Sequence, residues 1–248
     1  MAAAIARGWA SADSRPDSML FADSGSGRAE LLAGEVGGIR AGSLEELAEG
    51  SDLIVLAVKP AALLDVAGVI DGRSDAVASV LGATTVRQLQ EALPATPVLR
   101  LMPNIAVELQ RGVICHAPIA PGPGREVLGN ALGQFGSLGS VIEVDEELLD
   151  AATAVMGCAG AYLARGCEQL IASGVAAGLA PALSERLVRE MAGGTGDLLG
   201  RHSPREIETA IASPGGSTEA GLAAFAAAGG PQAFDAAVVA SLERMRGT

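Results

Sequence analysis

The sequence predicts an α/β fold: a doubly wound, mainly parallel sheet over residues 1–143, followed by an all-α domain over residues 144–248. Three observations predict it. Short apolar runs alternate with helix-patterned stretches as far as residue 143, and unbroken apolar strands between helices are strands buried on both faces. Strand patterns then stop, and helical stretches broken near Pro181, Pro204 and Pro214 fill the rest. Hydrophobic residues make up 49 % of the 248 positions and charged residues 19 %, which suits a packed core and not a disordered chain.

Residues 2–10 read as a first helix. Strands are expected at 19–21, 53–58, 77–81, 98–101, 113–115 and 141–144, with helices between them at 28–36, 43–49, 61–69, 84–93 and 125–135. Beyond them the sequence predicts helices at 145–178, 181–200, 203–211 and 217–246. Ser203, Pro204 and Glu206 form a helix start of cap, first-turn proline and capping-box acid. Ala and Gly occupy several faces of these helices, which allows close helix approach and leaves little polar covering. Such a domain is expected to be covered in an oligomer.

Composition also excludes function classes. With 17 basic against 29 acidic residues the formal charge is −12; an acidic chain without a basic run does not suit nucleic acid or an anionic membrane. Aromatics at 2 % supply no base-stacking platform. Cys115, Cys158 and Cys167 are odd in number, and with only His116 and His202 beside them they match no zinc spacing, so no metal site is expected. No apolar run reaches the roughly 18 residues of a membrane span, and the opening residues are too weakly apolar for a signal peptide. The expectation is a cytoplasmic protein.

A dinucleotide-binding domain of the Rossmann type opens with a strand, a G-x-G-x-x-G turn and a helix. This sequence opens at the helix, so its first strand and glycine loop are missing, and its start reads as placed too late. Asp23 fits the acidic residue expected about 20 positions after such a loop. Ser24, Gly25, Gly27 and Arg28 then read as the adenosine-ribose turn. Asp23 suits a free 2′-hydroxyl and Arg28 a 2′-phosphate, so NADH and NADPH both stay open; an ordinary helix-capping turn fits the same residues. Val58, Lys59 and Pro60 end a strand at the edge where cofactors bind. Asn104 ends another, where its side chain suits a carboxamide; a plain strand end fits equally. Ser213, Pro214, Gly215, Gly216, Ser217 and Thr218 precede a helix, and free N–H groups there suit an anion; a simple N-cap by Ser217 fits too.

Together these segments resemble the pyrroline-5-carboxylate reductase family. Its signature S-P-G-G-T-T-x-A-G-L stands here as S-P-G-G-S-T-E-A-G-L over residues 213–222, and the Val-Lys-Pro and Met-Pro-Asn strand ends keep their order. The resemblance implies NAD(P)H-dependent reduction of a cyclic imine, 1-pyrroline-5-carboxylate, to L-proline, the last step of proline biosynthesis. It implies a helical domain that makes a homodimer, with higher oligomers of dimers common. It assigns the substrate carboxylate to Ser213 and to the N–H groups around Gly216, Ser217 and Thr218. By the same resemblance the Thr218 hydroxyl would face the ring nitrogen as the catalytic group, and Lys59, Pro60 and Asn104 would line the nicotinamide end.

The chain departs from the family pattern. Residues 156–162 read M-G-C-A-G-A-Y where the family has S-G-S-G-P-A-Y, and Ile105 and Ala106 replace Thr-Pro. The lost hydroxyls keep two alternatives open: a reductase of a related cyclic imine, and a non-catalytic dimeric paralogue. A hydroxy-acid dehydrogenase would need a helical lysine as acid and base, whereas the sole lysine, Lys59, ends a strand.

Overall fold

The computed structural model describes residues 1–247. Helix α1 (Ala2–Ala10) buries Ala4, Ile5, Ala6, Gly8 and Trp9. Strand β1 (Leu20–Phe21) is shorter than the expected 19–21 and leads into α2 (Arg28–Val36). Strand β2 (Ile39–Arg40), which no apolar run announces, pairs in parallel with β1. Gly37 ends α2 at φ 72°, a left-handed turn that glycine enters without a Cβ penalty. Helix α3 (Leu44–Glu49) starts on a Ser43 cap that accepts the Glu46 amide.

The main sheet has five strands in the order β3 (Leu53–Leu56), β4 (Ala76–Ser79), β5 (Val98–Pro103), β6 (Gly112–His116) and β7 (Gly139–Glu143). Strands β3, β4 and β5 run parallel, β5 and β6 antiparallel, and β6 and β7 parallel again. The β1–β2 ladder is a separate sheet. Helices α4 (Leu63–Ile70), α5 (Val86–Ala92) and α6 (Arg125–Phe135) complete the layers.

Side-chain alternation on the strands explains why both faces need helices. Ala76, Ala78, Leu99 and Leu101 pack with Ile5, Trp9 and Phe135 on the α1/α6 side. Val77 and Val98 pack with Leu63, Ile70 and Leu89 on the α4/α5 side. The Trp9 ring lies 5.1 Å from that of Phe135, and its indole N–H donates to the Gln134 carbonyl at 3.0 Å. A bidentate Arg7–Glu35 pair ties α1 to α2.

After the sheet, the expected helix over 145–178 divides. A 3₁₀ turn (Glu146–Leu148), α7 (Leu149–Ala152), a π-helical turn (Thr153–Cys158) and α8 (Ala159–Ala176) succeed one another. Helices α9 (Pro181–Leu199), α10 (Pro204–Ile211), α11 (Ser217–Ala227) and α12 (Gly230–Arg246) follow. The 217–246 expectation is thus broken near Gly229, at φ 81°. The Ser203/Glu206 capping box forms as expected.

The chain has two compact units: Met1–Gly157 with the C-terminal segment from Leu242, and Cys158–Ser241. The expected border after residue 143 marks the last strand, yet residues 144–157 count with the first unit. The reason is Leu149, fully buried in a cluster with Met102, Cys115 and Ala117. Within the second unit the Ser184 hydroxyl donates to the Ile171 carbonyl at 2.8 Å, joining α9 to α8. The Tyr162 hydroxyl bonds the Ala237 carbonyl and the Ser241 hydroxyl, joining α8 to α12. Apolar side chains remain exposed along these helices, among them Leu163, Leu170, Leu187, Met191 and Phe225. Among the described residues no single helix is long and apolar enough to cross a membrane, and no group of three or more His, Cys, Asp or Glu side chains is arranged to hold a metal ion.

Candidate functional site

Parallel pairing puts the carboxyl ends of β3, β4 and β5 at one sheet edge. The first unit's candidate residues gather there and at the end of β1. Val58, Lys59 and Pro60 follow β3 and are exposed; Pro60 opens a 3₁₀ turn (Pro60–Ala62) that swings the chain into α4. Asn104 follows β5 and is half-buried. Its Oδ1 accepts the Val113 amide and its Nδ2 donates to the Met156 carbonyl, both at 3.1 Å. Each end of the carboxamide therefore already holds a main-chain group.

Asp23 follows β1 and organises the glycine turn. Its carboxylate accepts the Gly25 amide at 2.9 Å, the Ser26 hydroxyl at 2.7 Å and the Ala29 amide at 3.0 Å. These donors, the Ala29 amide foremost, hold its pKa at about 2, below the ordinary 3.8. Gly25 and Gly27 take left-handed conformations with open space around them, and Ser24 and Arg28 are exposed on this turn. The capping reading of the turn is thus realised by Asp23, while the Ser24 and Arg28 side chains stay at the surface.

The second unit carries Ser213, Gly216, Ser217 and Thr218 together. Gly215 turns at φ 71°, and Gly216, extended at φ −85° and ψ 169°, is the N-cap of α11. The Gly216 amide donates to the Ser213 carbonyl at 2.9 Å, closing the turn. Glu219 accepts the Gly215 amide at 2.8 Å. No side chain caps α11. Ser217 is the first helical residue and not the N-cap, so the plain capping reading of that serine does not hold. The first-turn amides of Ser217 and Thr218 have no intrahelical acceptor and carry the positive end of the helix dipole.

A buried ion cluster went unread in the sequence. The Arg100 side chain, 4 % exposed, reaches Glu146 at 3.2 Å and Asp150 at 3.3 Å. Glu146 also accepts the Val86 amide at 2.6 Å, the first N–H of α5. The signal was an arginine inside the apolar strand run 98–103, since a buried guanidinium demands acids nearby. A cavity of about 440 Å³ lies at the other end of β5, lined by Thr96, Pro118 and Arg125 among others, away from the candidate edge. Cys115 is buried, and burial pushes its thiol pKa up, away from thiolate chemistry.

Comparison with known proteins fits this layout. Residues 146–248 match the family model described as pyrroline-5-carboxylate reductase dimerisation, and residues 1–81 match that described as NADP oxidoreductase, coenzyme F420-dependent. A pyrroline-5-carboxylate reductase of Synechocystis sp. is 32 % identical over 234 residues, covering 87 % of this chain and 86 % of its own. That of Thermus thermophilus is 33 % identical over 195 residues, covering 78 % and 74 %. Among solved structures, the Plasmodium falciparum pyrroline carboxylate reductase with NADP bound superposes with a TM-score of 0.82 at 26 % identity, covering 98 % of this chain and 92 % of that one. The Streptococcus pyogenes 1-pyrroline-5-carboxylate reductase shares the fold at a TM-score of 0.86 and 23 % identity, covering 100 % and 95 %. From the extent of these matches along both units, the chain belongs to the pyrroline-5-carboxylate reductase family.

Proposed function

We propose that the chain is an NAD(P)H-dependent reductase that converts 1-pyrroline-5-carboxylate to L-proline, working as a homodimer through its helical domain. The observation that carries the reading is the uncapped N-terminus of α11, where the Ser213–Gly216 turn leaves the Ser217 and Thr218 amides without an acceptor of their own.

A nicotinamide dinucleotide fits the donor set in the first unit: the exposed edge with Val58, Lys59 and Pro60 for the nicotinamide end, and the open turn with Ser24 and Arg28 for the adenosine end. Asp23 supports that turn from within through its three donors. When bound, the reduced cofactor supplies a hydride to the imine carbon. The protein's part is to bind, orient and anchor, because a protonated imine is already electrophilic. The Ser217 and Thr218 amides, with the Ser213 hydroxyl, hold the ring carboxylate; two N–H groups at a helix start suit that charge and its two oxygens. The Thr218 hydroxyl hydrogen-bonds the ring nitrogen and fixes the orientation of its proton.

Thr218→Val tests this assignment. It removes the hydroxyl and keeps the branched shape, so kcat falls while the melting temperature and NADPH affinity hold. An unchanged kcat removes Thr218 from the chemistry. Reduction of a different cyclic imine in preference to 1-pyrroline-5-carboxylate would move the assignment to that substrate, for which the altered 156–162 segment leaves room.

A further inference from the structure

We propose that Asn104 is a positioning residue for hydride transfer: its carboxamide holds the wide helical turn Thr153–Cys158 in register at the cofactor edge and does not itself bind the nicotinamide. The inference rests on the reductase reading for its kinetic consequence, though not for its structural one.

Asn104 is knotted into the main chain on every side. Its amide donates to the Val113 carbonyl at 3.0 Å, and its own carbonyl accepts the Val107 amide at 3.3 Å. Its Oδ1 takes the Val113 amide, and its Nδ2 reaches the Met156 carbonyl. The residue thus fastens three things at the end of β5: the start of β6, the 3₁₀ turn Ile105–Leu109, and the π-helical turn.

A π-helical turn carries one residue more than the α-helical ladder accommodates. It is rare, appears as a single turn, and is frequent at functional sites. Two further contacts involve this turn: the Thr153 hydroxyl donates back along the helix to the Leu149 carbonyl at 2.7 Å, and the Met156 side chain packs on the cluster of Met102, Cys115 and Leu149. The Asn104 bond is the polar link from this turn to the strand, and only asparagine serves both ends. Aspartate accepts from Val113 but has no N–H for Met156; alanine does neither.

The placement matters because β5 ends at the same sheet edge as β3, whose exposed Val58, Lys59 and Pro60 lead away from it. Fixing Met156 to Asn104 therefore fixes the π-helical turn at that edge. Chemistry that depends on approach geometry responds to small displacements more strongly than binding does. Asn104 then acts on the chemical step through the turn, with little effect on cofactor affinity.

The test uses Asn104→Asp and Asn104→Ala in the full chain. Amide hydrogen exchange is followed by peptide, NADPH affinity by fluorescence, and hydride transfer by single-turnover NADPH oxidation with 1-pyrroline-5-carboxylate. Both variants should exchange faster over residues 153–161. Only Asn104→Ala should also lose protection at Val113. Single-turnover rates should fall by about 10–100-fold, the scale of misplacement in an active site, with NADPH dissociation constants within about twofold of wild type by the same argument. Unchanged exchange over 153–161 overturns the proposal. So does a loss of NADPH affinity at unchanged single-turnover rate, which would make the carboxamide a cofactor ligand. A wild-type chain without turnover overturns the reductase reading and the positioning role with it, while the exchange data still decide whether Asn104 holds the turn.

Discussion

Replacing Gly216 by alanine challenges the proposed substrate anchor with one methyl group. A Cβ at this position stands 2.6 Å from the Ser213 hydroxyl oxygen and 2.9 Å from the Ser213 carbonyl oxygen. The hydroxyl rotates away without straining the fold, but then leaves the carboxylate it is proposed to hold. The carbonyl does not, because the same oxygen accepts the Gly216 amide at 2.9 Å and closes the turn. The backbone at φ −85° is ordinary for alanine, so dihedral strain plays no part. The turn must open by several tenths of an ångström, and the Ser217 and Thr218 amides move with it. A hydrogen bond to a charged group contributes about 1.5–3 kcal/mol, and each ~1.4 kcal/mol is tenfold. Losing one such bond to the ring carboxylate raises the KM for 1-pyrroline-5-carboxylate by about 10–100-fold. The NADPH KM should stay within about twofold, since the lost contact is one made to the imine carboxylate. Initial rates of NADPH oxidation against each substrate in turn, for wild type and Gly216→Ala, decide the matter. An unchanged imine KM refutes the reasoning; equal rises in both KM values with a lowered melting temperature assign Gly216 to folding alone.

Three further outcomes follow from the fold. Arg100→Met removes the cation from Glu146 and Asp150, which are 35 % and 25 % exposed as side chains. Breaking a fully buried pair costs about 3–5 kcal/mol; partial hydration of these acids lowers the expected loss to about 2 kcal/mol, read by urea denaturation of the full chain. Asp23→Ala should lower the melting temperature at neutral pH, with the difference from wild type shrinking as the pH falls from about 4 to 2: the folded pKa of about 2 lies below the ordinary 3.8, so this stabilisation is present above the higher value and disappears as pH drops through the lower one. A gap in melting temperature that stays constant over that interval would contradict it. Gly8→Ala drives a methyl into the Val107 carbonyl and the Leu138 side chain, and overpacking of this kind costs about 1–3 kcal/mol; an unchanged denaturation midpoint would show that α1 shifts freely.

The fold was legible wherever a pattern was local. The apolar run at 53–58 became β3 over its first four residues, with Ala57 and Val58 beyond the strand end, the run at 98–101 became β5, which continues to Pro103, and the Ser203, Pro204 and Glu206 signature became the start of α10. Strand β2 escaped notice because Ile39 and Arg40 are both exposed and form only a two-residue ladder with β1, so burial left no imprint on the sequence. The π-helical turn escaped because one extra residue in a helix has no compositional mark. At the site, the glycines and hydroxyls at 213–218 were readable because a tight turn before a helix restricts residue type. The roles of Asp23 and Asn104 were not. Acid and amide side chains serve ligands and neighbouring main chain equally well, and only the folded partners, Ala29 for one and Met156 for the other, reveal which groups they hold. Arg100 stood out as a charge in an apolar strand, but Glu146 and Asp150 lie more than forty positions away and could be paired with it only through the tertiary fold.

The most direct test is NADPH oxidation by the purified chain with 1-pyrroline-5-carboxylate, with L-proline measured in the same tubes. NADPH should be consumed and proline formed in equal amounts, and both rates should fall together in Thr218→Val. A folded, dimeric chain that binds NADPH yet yields no proline from this imine would contradict it.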